Sequence, residues 1–375
     1  MVDVSQPTVT STSSPTYPPG STYSVPEPRR GAAFSPAQAT PYDRLPRTLR
    51  WEWWRPLVAL TVFGVLAVIG SVAVVGVAMV AVVLEGGAAG PAQLDALLDR
   101  LLAIDATDSL VLVLSLASIA VWLPAVAGAL RIAGMRPIGH VSSVVLRLRW
   151  RWLLTCSVLA VATLALSLGL SFGLGALVGQ NATPVWTSFD RLWLPLLIII
   201  LLVPFQAAAE EYVFRGVLVQ ALGSWLPRRA WSRVIVVVVP TIAFVLSHGY
   251  GLWGLLDVGV FALAAMWVTL RTGGLEAAIA LHVVNNVVVF TALASGAFGT
   301  TVNGDEGGSL AGVLITVITS IGYCWIVEIL ANRRGLERTS SWPERGPVAP
   351  LALPVPHPVA GWTGTPTHDL VGSAR

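Results

Sequence analysis

The chain of 375 residues contains no lysine, so all 23 of its basic residues are arginine. Every chemistry that needs a lysine amine, whether a P-loop, a Schiff base or a Ser/Lys dyad, is therefore closed to it. Charge of either sign is scarce, at 11% of residues, where soluble globular domains carry roughly 25%. Cysteine is nearly absent too. Cys156 and Cys324 stand alone inside apolar runs, which excludes a disulfide framework and a thiolate metal centre. Any metal must be held by His, Asn or carboxylates. The net charge of +3 does not amount to a nucleic-acid surface, because the arginines fall at the ends of apolar segments and form no patch. No nucleic-acid partner is expected.

What the chain has instead is apolar length. At 55% hydrophobic residues and a mean hydropathy of +0.73, it reads as an all-α, polytopic membrane bundle whose constant partner is the lipid bilayer. A helix needs about 20 residues to cross the hydrocarbon core. Eight runs qualify, at about 57–84, 109–130, 152–178, 192–222, 231–249, 253–270, 274–295 and 310–331. Pro240 interrupts the fifth and Asp257 the sixth. Residues 1–50 and 336–375 are rich in Pro with few large aliphatics, and are expected to be disordered tails around a transmembrane domain at 51–335.

The loops orient the spans, because cytoplasmic loops carry the excess of basic residues. Arg44, Arg47, Arg50 and Arg55 precede the first span, and Arg131, Arg136, Arg147, Arg149 and Arg151 separate the second from the third. Arg228, Arg229 and Arg233 follow the fourth, Arg271 the sixth, and Arg333, Arg334 and Arg338 the eighth. All fall on one side. The opposite loops hold Glu85, Asp95, Asp99, Asp105, Asp108, Asp190, Asp305 and Glu306, with only Arg100 and Arg191 against the trend. Eight spans in a cell's plasma membrane, with both termini cytoplasmic, satisfy this alternation.

An ionisable side chain at mid-bilayer costs about 2.5–3.5 kcal/mol on insertion scales, so each one inside a span is a functional candidate. The fourth span holds Glu210, Glu211 and Arg215, the fifth ends in Phe244 and His248, and the seventh carries His282 and Asn286. Residues four apart share a helix face, so Arg215 can pair with Glu211 while Glu210 points about 100° away, free for another task. His282 and Asn286 likewise share a face, and Phe244 stacks one turn from His248. A carboxylate, two imidazoles and an amide are the groups that general-base or metal-assisted activation of water requires. Peptide hydrolysis fits them best. Taken singly, each has a plain structural reading: a self-satisfied ion pair, an interfacial histidine, a hydrogen-bonded core histidine. Their concentration in one half of the chain favours a site.

The three patterns, Glu-Glu-x-x-x-Arg at 210–215, Phe-x-x-x-His at 244–248 and His-x-x-x-Asn at 282–286, resemble in order and spacing the motifs of the CAAX-processing and bacteriocin-processing (CPBP, or Abi) intramembrane proteases. That family includes the type II CAAX prenyl endopeptidases. The resemblance covers about residues 190–295. It implies that Glu210 activates water, that His248 and His282 serve as ligands or oxyanion stabilisers, that Asn286 completes the oxyanion environment, and that Glu211 and Arg215 support them. It leaves two chemistries open: Zn2+ held by Glu210, His248 and His282, or a metal-free, glutamate-activated water. The implied substrate is a membrane-associated or lipidated peptide or protein. A proton-coupled transporter and a non-catalytic immunity or scaffold member of the family are the alternatives.

Straight vertical helices would leave these groups at different depths. A tilt, a break near Pro204 or a bend at Pro240 is expected to bring them level. Asp257 and Glu276 are expected to cap helix N-termini, and Glu328 to pair with Arg333 or Arg334.

Overall fold

The structure, a computed structural model, describes residues 39–86, 95, 99–100, 105–177, 186–297 and 308–344. The outer parts of both expected tails lie outside the described residues, as do Asp305 and Glu306.

Among the described residues ten α-helices are delimited at both ends, and together they make an all-α membrane bundle. They are α1 (Arg55–Gly86), α2 (Ser109–Ala120), α3 (Trp122–Ile132), α4 (Trp150–Leu177), α5 (Phe189–Glu211), α6 (Val219–Trp225), α7 (Ala230–Leu246), α8 (Leu252–Thr272), α9 (Glu276–Ala294) and α10 (Leu310–Arg333). In hydrocarbon each backbone N–H and C=O must be satisfied within its own segment, which is why uninterrupted apolar sequence becomes helix here. The ends are set locally. The Asp108 carboxylate accepts from the N–H groups of Leu110 and Val111 and starts α2, and Gly273, at φ +69°, stops α8 in the left-handed conformation that glycine adopts without strain.

Among the described residues seven helical stretches are long and apolar enough to cross a bilayer. The fifth expected span is the exception: α7 has 17 residues, about 25 Å of helix. The strand Thr40–Pro41 pairs antiparallel with Thr339–Ser340, so the two ends of the described bundle meet on one face. An even number of crossings is compatible with ends that share a face, and α7 is an apolar helix long enough to be considered for the further one.

Both tail boundaries move outward, toward the ends of the chain. Residues 40–48 belong to the fold: Tyr42–Thr48 form a 3-10 turn in which Tyr42 and Leu45 are buried. Arg44 donates to the carbonyls of Gly223 and Leu226 and pairs with Glu344 at 2.6 Å. Arg228 adds a second ion pair to the same carboxylate, and Arg47 donates to the Ser224 carbonyl. A Cβ on Gly223 would collide with the Asp43 carbonyl, so this clasp depends on glycine. The stretch looked like tail because two large apolar residues among prolines and arginines give no periodic signal.

At the centre of the bundle stands α9, packed against α4, α5 and α8. Its first turn is fixed by Glu276, which is more than a helix cap. The fully buried carboxylate receives Arg149 through Nε at 2.8 Å and Nη2 at 2.7 Å, together with the Arg149 backbone N–H. Arg149 also donates to the carbonyls of Thr272 and Glu337. Two further expectations change. Glu328 pairs with Arg271 and Arg338, and Asp257 lies inside α8 instead of at its start. His140, which reads as a basic-loop residue, is fully buried.

Candidate active site

The helix carrying Glu210 runs on through Pro195 and Pro204, and α7 likewise continues through Pro240. The expected distortion occurs elsewhere. Immediately after Glu211 the backbone opens into a π-helical segment, Tyr212–Leu218, before α6 resumes the ordinary winding. Such segments widen the turn and re-aim side chains. This one holds Arg215 pointing inward. The continuous helix Phe189–Trp225 has 37 residues, about 55 Å at 1.5 Å per residue, nearly twice the hydrocarbon thickness. Its last turn carries the carbonyls held by the arginine clasp, so depth counted from Trp225 overstates how far Glu210 lies within the membrane.

The structure brings Glu210, Glu211, Arg215, Phe244, His282 and Asn286 together. Arg215 Nη1 donates to Glu211 Oε1 at 2.9 Å, with side-chain exposures of 1% and 0%. Imidazole Nδ1 of His282 meets the same Oε1 at 2.8 Å, while its Nε2 stands 3.4 Å from Glu210 Oε2. Glu211 is thus the buried hub that orients both a cation and an imidazole. Glu210 is the less deeply buried carboxylate of the two, its side chain keeping 10% exposure.

Phe244 is the hydrophobic post around which these groups stand. Its ring packs at 5.2 Å from Phe214, 4.7 Å from His248 and 5.8 Å from His282, and the Arg215 guanidinium lies 4.1 Å from its centroid. Contact with Phe214 and Arg215 sets the end of α7 level with the π segment. His248 is half-buried one turn on, packed between the rings of Phe244 and Tyr250. Its Nδ1 lies 2.8 Å from the Phe244 carbonyl. A carbonyl only accepts, so Nδ1 carries the hydrogen. Neutral His248 then presents an acceptor at Nε2 and donates there only as imidazolium.

One residue of this site escapes the motif reading. Gln206, buried to 4% exposure, lies one turn before Glu210. Its Nε2 donates to Glu210 Oε1 at 2.8 Å, and its Oε1 accepts from Asn286 Nδ2 at 3.1 Å. Asn285 in turn donates to Asn286 Oδ1 at 3.2 Å. Three amides therefore form a directed chain ending on the carboxylate. A neutral amide four residues before an in-span acid is the signal that could have found it.

Two carboxylate oxygens, Glu210 Oε2 and Glu211 Oε2, are buried without a hydrogen bond. For Glu210 this has chemical content. If His282 gives its Nδ1 hydrogen to Glu211, its Nε2 lone pair faces Glu210 Oε2. Two acceptors 3.4 Å apart converge on one donor, either a water O–H or the proton of an imidazolium.

Both histidines hold Nδ1 against a fixed acceptor, as metal-ligating histidines do. Yet among the described residues no three of His, Cys, Asp and Glu gather closely enough to hold an ion. An apolar cavity of about 620 Å3, lined by Phe205, Ala208 and Tyr212 of the glutamate-bearing helix and by Ile279, Ala280 and Val283 of α9, includes none of the polar groups above.

Comparison with known families places residues 191–288 under the model described as type II CAAX prenyl endopeptidase Rce1-like. The match takes in all three motifs and every site residue named above. No curated protein and no solved structure matches the chain.

Proposed function

Because residues 191–288 match the Rce1-like type II CAAX prenyl endopeptidase model, we propose that this chain is an intramembrane endopeptidase in which Glu210 activates water. The observation that carries this reading is the carboxylate itself, fixed through Oε1 by Gln206 and left with Oε2 unbonded beside the His282 imidazole.

The chemistry follows from the donor set. Water hydrogen-bonded to Glu210 Oε2, alongside the His282 imidazole, gives its proton to the carboxylate as its oxygen attacks the scissile carbonyl. The developing oxyanion needs donors. Asn286 has two amide hydrogens and spends one on Gln206, leaving the second. His248 supplies another once protonated at Nε2. Protonated Glu210 then returns its proton to the leaving amine. Glu211 stays ionised between Arg215 and His282, holding the imidazole in register.

The substrate we propose is the peptide chain of a membrane-associated or lipidated protein, reached from the face on which the two ends of the described bundle and the arginine-rich segments lie. That face is cytoplasmic by the charge rule. The reading is tested with the purified protein in proteoliposomes and a membrane-protein extract from cells that lack it. New protein N-termini should appear with wild type and be absent with Glu210→Gln. Proton-gradient-dependent flux of a small solute, without new N-termini, would favour a transporter instead.

A further inference from the structure

The first turn of α4 and the segment just after α10 enclose a pocket of about 750 Å3 lined by Arg149, Arg151, Trp152, Leu154, Thr155, Arg334 and Leu336. Its charge is not balanced. Arg149 is neutralised by Glu276, but Arg334 donates only to the neutral Thr155 hydroxyl, at 2.7 Å, and lies 5.9 Å from the Trp152 ring centroid. Arg151 has no ion-pair partner among the described residues, and no carboxylate lines the pocket. The nearby Glu328 is held by Arg271 and Arg338.

Two exposed guanidiniums therefore converge on one concave surface with nothing anionic to meet them. Guanidinium geometry suits phosphate oxygens, which it can engage through two donors at once. The surroundings identify the source of the phosphate. Below the pocket, α4 turns a strip of apolar side chains outward at helical spacing, with Trp150 66%, Leu154 64% and Val158 73% exposed. Spacing of four keeps them on one face, and that face meets lipid. Arg151 stands in the first turn of the same helix and Arg334 just after α10, on the arginine-rich side of the bundle, where a headgroup lies when its chains run along Leu154 and Val158.

The geometry points to a binding site for the phosphate of an anionic membrane phospholipid, held by Arg151 and Arg334 with its acyl chains laid along α4. This site is separate from the catalytic residues, yet it is built on the Arg149 clamp that seats the first turn of α9.

Native mass spectrometry of the full chain in detergent, titrated with phosphatidylglycerol or phosphatidylcholine, tests this. An arginine near an anionic surface is worth about fivefold in affinity, and a pair about thirtyfold. Arg151→Gln/Arg334→Gln should lose about thirtyfold in phosphatidylglycerol retention, with phosphatidylcholine unchanged. The control Arg131→Gln/Arg136→Gln removes the same charge from exposed positions outside the pocket and should retain the wild-type preference. Thermal unfolding verifies that each variant is folded. The assignment is overturned if wild type binds the two lipids equally, if both double variants lose affinity alike, or if inorganic phosphate displaces the lipid at equal concentration.

Discussion

Replacing Arg215 by methionine removes a charge while nearly conserving volume, and the structure says what that leaves behind. Glu211, with no exposed side-chain surface, loses the guanidinium 2.9 Å away. Its Oε2 already lacks a partner, so only His282 Nδ1 still opposes the charge. Removing one member of a buried pair costs about 3–5 kcal/mol. The cation–π contact with Phe244 contributes on the order of 2 kcal/mol when desolvated. The two overlap, and His282 offsets part of the loss, so about 4 kcal/mol is the working figure. At roughly 2–4 °C per kcal/mol for a domain of 150–250 residues, the unfolding midpoint in detergent should fall by roughly 10 °C. A second arm isolates the cause. In Glu211→Gln/Arg215→Met the stranded charge is gone, while the introduced amide oxygen still accepts from His282 Nδ1. The double variant should therefore be more stable than Arg215→Met alone, a coupling expected of contacting residues. Intrinsic tryptophan fluorescence during a thermal ramp reads both. A midpoint for Arg215→Met within about 2 °C of wild type, or a double variant no more stable than the single, would refute the assignment of Glu211 as a buried anion held by Arg215.

Other outcomes are equally specific. Gln206→Leu takes a hydrogen bond from the ionised Glu210 and strands Asn286 Nδ2; a bond to a charged group is worth about 1.5–3 kcal/mol, so the cleavage rate should fall about 10- to 100-fold with membrane abundance intact, and an unchanged rate removes Gln206 from the mechanism. His140 is fully buried and its imidazole is pushed down to about 4 by that burial, against the opposing hydrogen bond to Gln220. The unfolded chain thus binds a proton below about 6.5 that the folded chain refuses until about 4. Stability from this group is present above 6.5 and is lost as pH falls toward 4, by about 3 kcal/mol in all. His140→Asn, which does not titrate, should flatten that part of the curve of unfolding midpoint against pH; an identical slope in both proteins rejects it. Reporter fusions should be active in the cytoplasm at both chain ends, and external activity at either end overturns the proposed orientation.

Much of the fold was legible because a bilayer restricts the vocabulary. Long apolar runs can only be helices there, and scarce charges then mark loop sides and buried sites. The spacing of Glu211 and Arg215 foretold their contact because both project from one helix face, and Phe244 with His248 follow the same logic. Three things were hidden. The clasp from Tyr42 to Thr48 is made by arginine bonds to backbone carbonyls, which leave no sequence pattern. The π segment has no proline or glycine pair to announce it, whereas Pro204 and Pro240, which do announce a break, are accommodated within helices. Gln206 was missed because neutral amides are cheaper in lipid than charges, so a search keyed to ionisable residues passes over them. The partners of Glu276 and Glu328 were misjudged for a related reason: Arg149, Arg271 and Arg338 reach them from other segments, and tertiary pairing is invisible to local spacing.

The central claim is that Glu210 is the base that makes this protein a protease. Comparative N-terminal proteomics of membranes from wild-type cells and from cells carrying only Glu210→Gln tests it most directly, with purified wild-type protein then added to the mutant membranes. The account predicts that a small set of precursors accumulates in the mutant at normal protein abundance, and that each is cut at the native position on adding wild type and not on adding Glu210→Gln. Identical N-termini in the two strains, or cleavage by purified Glu210→Gln at the wild-type rate, would contradict it.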